Sequence, residues 1–345
     1  MTVLPPSLPA KGLKVLAGAA PKSPLRVVRQ LLKWGAGSAA RVVSTLLGPR
    51  ERFAFGILMY HRITENIPGV PAPTWNVPPE RFRQQMVGLL KRGYEPWPLR
   101  RVLTYHDEYR YLPRKAFVVT FDDCYENVYL NAWPVLKELK IPATLFLATS
   151  YLDSEQPFPS DDWSAAGKPE VPVTSWRPIT TAQCREMQES ELIELAAHTH
   201  THSDFRNQPE LLKQDLAICM AELKQRFGLK DATFAFPYGT KSLGFAGGKL
   251  SEAAKDAGLL CSLSTEPEII HPVDDPFDWG RFNVEPYFSA GDIATRLNGW
   301  TSAIRQAGRL LLRRKPSGAY LTQQQLAAAV GQLASSHQDS SEVQV

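Results

Sequence analysis

Two adjacent carboxylates, Asp122 and Asp123, follow Ala116-Phe-Val-Val-Thr-Phe121, a stretch that is apolar apart from Thr120. Burying even one unpaired carboxylate is costly, so two acids at the end of a buried strand need a chemical reason. A helix N-cap would use one aspartate and leave the other unexplained. Adjacent residues diverge in direction, so one carboxylate can face a metal while the other faces a substrate. His198-Thr-His200-Thr-His202 follows a second strand-like stretch, Leu192-Ile-Glu-Leu-Ala-Ala197. If that strand continued, period 2 would put all three histidines on one face. If a helical turn begins there, His198 and His202 share a face at i, i+4, which suits a two-histidine metal site. One aspartate with two histidines leaves positions open for water and substrate, as in a catalytic rather than a structural zinc site. The same donors serve non-heme iron oxygenases, so donor types alone leave the reaction open.

The elements that must position these residues follow from the apolar pattern. Phe53–Met59 reads as a buried strand ending at Tyr60-His61-Arg62, and a helix begins at Pro78-Pro79-Glu80 and stops at Gly93. After the strand 116–121, a helix is expected from about Val128 to Leu139 and a strand over Ala143–Leu147. Helices near 180–190, 209–227 and 250–257 then alternate with strands near 192–197, 232–236 and 259–264. Such alternation implies a parallel α/β sheet or barrel with its chemistry at the carboxyl ends of the strands. Phe234-Ala-Phe-Pro237-Tyr238-Gly239 ends one of those strands, in the same layer as the acids and histidines. The Pro-, Ser-, Asp- and Trp-containing segment 153–178 reads as a long surface loop of functional interest.

Three motifs in order, Thr120-Phe-Asp-Asp-Cys-Tyr125, His198-Thr with His202, and Phe236-Pro-Tyr-Gly239, resemble those of the NodB-homology polysaccharide deacetylases, carbohydrate esterase family 4. The resemblance runs from about residue 55 to about 290. It implies a distorted, irregular (β/α) barrel with a single catalytic domain that holds a divalent metal and removes N-acetyl groups from amino sugars. Carried over by position, Asp122 would be the general base, and Asp123, His198 and His202 the metal ligands, with His200 outside. Tyr238 would lie beside the acetyl group, its backbone amide helping to hold the oxyanion. The metal implied is zinc, with cobalt, nickel or iron as alternatives.

The chain also departs from the pattern. The glycine usual after the acid pair is Cys124, a tolerable change unless that position needs a positive φ. No arginine precedes Pro237, which makes Arg281 the candidate partner of the base. No Leu-x-His motif supplies the acid, but Met59-Tyr-His61 resembles the circularly permuted branch acting on exopolysaccharides and makes His61 the candidate acid. Asp275-Pro-Phe-Asp278-Trp279 matches a further Asp-x-x-Asp-Trp motif, downstream of its usual place.

Composition bounds the rest. The chain has 345 residues, 43% apolar and 21% charged, enough for one large domain or two modest ones. No run of 18 apolar residues suggests an ordinary transmembrane helix. Four scattered cysteines without a CxxC pair argue against a cysteine zinc site and a disulfide framework. Net charge is +4, too small to indicate nucleic acid. Eight bases and no acid fall within residues 1–50, which leaves −4 for the remainder. Between Leu25 and Leu47 these bases alternate with apolar residues, as in basic amphipathic helices that lie on an anionic membrane. A helix packed on the domain or a disordered arm accounts for the pattern equally well.

The expected organisation is therefore a basic extension (1–50), a catalytic domain (51–300), and a helical C-terminal segment with a polar tail (301–345). No signal-peptide pattern opens the chain. The residues favour a cytoplasmic or peripheral-membrane setting, and the resemblance adds the cell envelope or the exterior. The expected function is metal-dependent N-deacetylation of a polysaccharide or lipid-linked glycan; the alternative is a non-catalytic glycan-binding protein of the same fold. An iron oxygenase is disfavoured by the lack of a jelly-roll strand pattern.

Overall fold

The apolar runs become parallel strands in the computed structural model, which describes residues 54–107, 115–158, 161–165, 171–271 and 273–300. The expected segments 1–50 and 301–345, including the basic stretch 25–47, lie outside the described residues, as does Phe53. The chain divides by contacts into Met1–Ser302 and Ala303–Val345, and every described residue falls in the first.

The strands are β1 (Gly56–Tyr60), β2 (Glu95–Pro96), β3 (Ala116–Phe121), β4 (Ala143–Leu147), β5 (Ile193–Ala197), β6 (Phe234–Ala235), β7 (Ser262–Leu263) and β8 (Phe282–Asn283). All pair in parallel in one sheet of order β7-β6-β5-β4-β3-β1-β8, with β2 beside the start of β3. The helices are α1 (Pro79–Leu90), α2 (Leu99–Asp107), α3 (Trp133–Leu139), α4 (Asp162–Ala165), α5 (Thr181–Glu189), α6 (Pro209–Phe227), α7 (Lys249–Asp256) and α8 (Ala290–Leu297). A β-α alternation of this kind is the irregular barrel expected from the sequence, and the sheet is curled.

Curling follows from how the strands divide their side chains. Alternate residues point to opposite faces of a strand. Ile57, Val118, Phe146, Ala196, Ala235 and Leu263 share one apolar cluster with Trp279, the interior of the curl. Leu58, Tyr60, Phe117, Val119, Phe121, Leu145 and Leu195 point the other way, into a second cluster with helix residues such as Phe82, Leu136 and Leu216. Both faces are buried, which is why β1, β3 and β4 read as apolar runs broken only by Thr120 and Thr144.

One short stretch touches both ends of the sheet. Trp279 bridges Leu263 of β7, and three residues on Phe282 pairs with Leu58 of β1. The Asp275–Trp279 motif thus serves the closure: Asp275 caps the turn at Phe277 N, Asp278 pairs with Lys241 at 2.7 Å, and Trp279 is buried edge-on against Phe55.

Sequence and structure differ in several elements. The strand expected at 53–59 begins at Gly56, and Phe55 instead bridges Ile270 in the antiparallel sense. The single helix expected over 128–139 opens as a π-helical turn, Val128–Ala132, before α3. Pro134 has no N–H to donate into that turn, so a regular α-helical ladder is interrupted there. β2, α2, β8 and α8 were not anticipated; β2 and β8 are two residues each, too short to show a period. The 153–178 segment is not simply a surface loop. Its described residues Phe158, Asp161 and Trp163 are buried, because the segment folds inward over the ends of β1 and β3.

Closure leaves no room at Gly280, where an added Cβ would lie 2.2 Å from the Glu266 carbonyl oxygen. Gly280→Ala is therefore expected to lose ~1–3 kcal/mol of stability through overpacking, read by urea unfolding. A variant as stable as the parent would show that the closing stretch can yield.

Candidate active site

The inward phase of the strands carries chemistry at their carboxyl ends. Continuing by twos from Ile57, Val118, Ala196 and Trp279 gives His61, Asp122, His198 and Arg281. Register brings the first pair level, since Asp122 N donates to the Tyr60 carbonyl at 2.9 Å.

Asp122 is almost fully buried, and Arg281 is wholly so. The guanidinium grips the carboxylate with both prongs, Nη1 to Oδ1 at 2.6 Å and Nη2 to Oδ2 at 2.7 Å. Its Nε donates to the Ser264 carbonyl and its plane lies 5.4 Å over the Phe146 ring. Burial pushes the Asp122 carboxyl up, but Arg281 and then His198 outweigh it and hold the group below its ordinary range. His61 Nε2 stands 3.9 Å from Asp122 Oδ2. Burial pulls the His61 imidazole down more than the neighbouring aspartates raise it. Its Nδ1 is buried without a hydrogen-bond partner.

Asp123 turns away from its neighbour because its backbone enters the left-handed region, with φ of 62°. Its Oδ1 lies 3.0 Å from His202 Nε2 and 3.4 Å from His198 Nε2. One donor atom from each of the three residues falls within 4.8 Å of the others. His200 takes no part: its Nδ1 meets Thr149 Oγ1 at 2.9 Å.

The histidine segment is neither strand nor helix, so both expected geometries are replaced by a bend. Thr199 and His202 take φ of 67° and 53°, and Thr199 Oγ1 accepts from His202 N at 3.0 Å. Asp215 of α6 secures the bend, accepting from the backbone of His200 and from Thr201 N and Oγ1. It was not singled out from the sequence. Its signal is an acid between Leu212 and Leu216 on the apolar face of a helix.

A cation fits this donor set on the structure's own terms. His198 Nδ1 lies 2.8 Å from the Ala235 carbonyl. A carbonyl can only accept, so Nδ1 carries a proton, and the tautomer with Nε2 bare presents its lone pair toward Asp123. In that tautomer two acceptors face each other, and Asp123 Oδ1 is a buried atom with no hydrogen-bond partner. A positive charge resolves both, and the histidine-to-carbonyl support is the usual arrangement behind a metal-bound imidazole.

Tyr238 follows β6 with φ of 62° and about half of its surface exposed, its ring edge-on to His202 at 5.1 Å. Gly239, φ 53°, could not carry a Cβ without meeting Thr265 at 2.7 Å. Cys124 also has a positive φ, 65°, so the condition under which a glycine would be preferred there is met. The strain is tolerated at a buried thiol packed against the Phe121 and Phe146 carbonyls. All four cysteines are free thiols.

Comparison with known proteins places this geometry in context. Residues 110–260 match the family model described as polysaccharide deacetylase, a span that contains Asp122, Asp123, His198, His202 and Tyr238 but neither His61 nor Arg281. The chain is 27% identical over 207 residues to poly-beta-1,6-N-acetyl-D-glucosamine N-deacetylase of Staphylococcus aureus, covering 57% of this chain and 64% of that protein. It is thus similar to somewhat less than two thirds of that relative's length. A protein of the same name from Escherichia coli is 33% identical over 118 residues, 34% of this chain and 17% of its own. Among solved structures, IcaB from Ammonifex degensii superposes with a TM-score of 0.58 at 25% identity, covering 72% of this chain and 97% of its own. The Streptococcus pyogenes deacetylase PplD shares the fold at TM-score 0.58 and 19% identity, covering 72% of this chain and 99% of its own. Among the described residues no helix is long and apolar enough to cross a membrane.

Two measurements test this geometry. Alanine at His198 or His202 is expected to abolish zinc retention in titration calorimetry, while alanine at His200 preserves it; the reverse pattern would overturn the assignment. Arg281→Met leaves a buried carboxylate unpaired and is expected to cost ~3–5 kcal/mol in urea unfolding. A loss below ~1 kcal/mol would mean that Asp122 finds another partner.

Proposed function

We propose that this chain, whose residues 110–260 match the polysaccharide deacetylase family model, is a hydrolase that removes N-acetyl groups from a polysaccharide of N-acetylglucosamine and releases acetate. The observation that carries this reading is the division of labour between adjacent acids: Asp122 is tied to a fixed guanidinium, while Asp123 is left to a three-donor cluster with His198 and His202. The relatives' names point to a β-1,6-linked exopolysaccharide as the substrate.

In this reading Asp123, His198 and His202 hold a divalent cation, zinc by the nitrogen and oxygen donor set. Bound there, such an ion supplies a Lewis acid that polarises the acetamide carbonyl and acidifies water. Asp122 removes a proton from the attacking water, held at the correct angle by Arg281. The water oxygen bonds to the carbonyl carbon, and the Tyr238 backbone N–H donates to the developing oxyanion. His61 gives a proton to the nitrogen as the carbon–nitrogen bond breaks; burial lowers its pKa, so the imidazolium is a stronger acid but a scarcer one near neutral pH. Acetate and a free amino sugar leave. Residues 51–300 are the catalytic domain, 1–50 and 301–345 are its flanking segments, and the basic stretch 25–47 would rest on an anionic membrane surface.

The test is acetate release by the full chain from β-1,6-linked N-acetylglucosamine oligomers and chitooligosaccharides, with zinc, cobalt or nickel supplied. Release is expected, and Asp122→Asn should keep the metal while losing ~10²–10⁴-fold in turnover. His61→Ala should fall in the same range. No release with any metal would favour a non-catalytic glycan-binding protein, and near-normal turnover by Asp122→Asn would overturn the assigned base.

A further inference from the structure

Trp75 is an exposed indole that the chain holds with unusual firmness. More than half of it is open to solvent (53%), although Asn76 and Val77 beside it are buried. Its φ of 57° lies in the left-handed region, where a bulky residue is rare. The backbone is pinned from both directions. The Trp75 carbonyl accepts from Arg62 N at 3.3 Å, and Val77 N donates to the Arg62 carbonyl at 3.0 Å. The Asn76 amide exchanges two hydrogen bonds with the Thr64 backbone, at 3.0 and 3.1 Å. On the other side, Thr74 N donates to Asp162 at 2.8 Å and Trp163 Nε1 donates to the Pro71 carbonyl at 2.7 Å. These bonds stitch the stretch after β1 to the segment around α4. That segment is itself anchored by the buried Arg62–Asp161 ion pair.

The indole so held stacks on the His61 ring, centroids 5.2 Å apart and planes within 25°. One face is therefore covered by the imidazole next to Asp122, and the exposed area belongs to the outer face and edges. Across the site, Tyr238 presents a second exposed ring against His202. Exposed aromatic rings held rigidly on either side of a polar site are ready to receive a ligand with an apolar face. A pyranose ring has such a face in its axial C–H bonds. Holding the indole in place beforehand avoids the ordering cost of binding.

We propose that Trp75 is a glycan-binding residue: the outer face of its indole carries a pyranose ring of the N-acetylated glycan beside His61. The identity of the ligand rests on the deacetylase reading; the binding platform does not need turnover. Zinc-loaded full-length Asp122→Asn is titrated with a β-1,6-linked N-acetylglucosamine pentasaccharide, alone and combined with Trp75→Ala or Trp75→Tyr. The alanine variant is expected to bind about tenfold more weakly, the scale of one lost ring-sized apolar contact, and the tyrosine variant to stay near the parent. In otherwise wild-type protein, Trp75→Ala should raise KM for the pentasaccharide about tenfold, with kcat and the pH profile unchanged. Equal binding by the alanine variant would overturn the platform. So would a fall in kcat with a shifted pH profile and unchanged KM, because Trp75 would then serve His61 rather than the sugar. Trp75-dependent binding without acetate release by the wild type would sustain the platform and overturn the deacetylase reading. Absence of binding and release alike would overturn both.

Discussion

The bidentate bond between Arg281 and Asp122 sets the terms for the rest of the site. Two ions removed from water are held together only where geometry is close to ideal and the remaining protons are satisfied. Here the fork meets both carboxylate oxygens, the third nitrogen finds the Ser264 carbonyl, and Phe146 lies beneath the plane. Those partners come from β3, β4, the end of β7 and the closing stretch 279–283. The pair can therefore form only when the sheet has curled far enough for its two ends to meet. Curl and charge are one requirement: without closure Arg281 has no route to the interior, and without Arg281 the buried Asp122 is uncompensated.

A second constraint is backbone strain gathered around the same point. Asp123, Cys124, Thr199, His202 and Tyr238 all have positive φ. Each such non-glycine residue costs roughly 1–2 kcal/mol, and strain of this kind persists only where surroundings over-determine it. The surroundings are identifiable. Asp215 ties the histidine bend, Thr199 closes it on His202, and the Tyr238-Gly239 turn is latched by Thr265 N on the Gly239 carbonyl. What the strain achieves is divergence: Asp122 faces Arg281 while the next residue faces two imidazoles.

The His61 side is supported differently. His61 lies between Asp122 on one side and the stacked Trp75 ring on the other, and the loop bearing Trp75 is fastened to the segment around α4. Arg62, next in sequence, buries its guanidinium against Asp161 and the Tyr125 ring. One residue thus faces the Asp122 carboxylate while its neighbour holds the wall, a consequence of the alternation that sends successive side chains to opposite sides.

Much of this was legible in the chain before folding. Strands with both faces buried are apolar at nearly every position, so β1, β3, β4 and β5 announced themselves, and polar residues at their carboxyl ends stood out as needing a purpose. Asp122, Asp123, His198, His202 and Tyr238 are local to such ends, and their motifs are compact enough to be seen. Other features had no local signature. Arg281 stood as a candidate partner of Asp122 only because no arginine precedes Pro237; it lies 159 residues away, just before the two-residue β8, so the pairing itself depends on sheet closure. The histidine segment offered two regular periodicities, and the structure adopts neither, because Asp215 from a distant helix supplies hydrogen bonds that a bend can use. Trp75 is one of eight tryptophans, and nothing in its neighbours marks it as exposed or as lying on His61. The sequence alone determines the period of each strand and the type of each end residue, because both depend on near neighbours. Which end residues meet, at what angle and with which proton between them, is decided only when the sheet closes, because those contacts join parts of the chain that local chemistry never brings together.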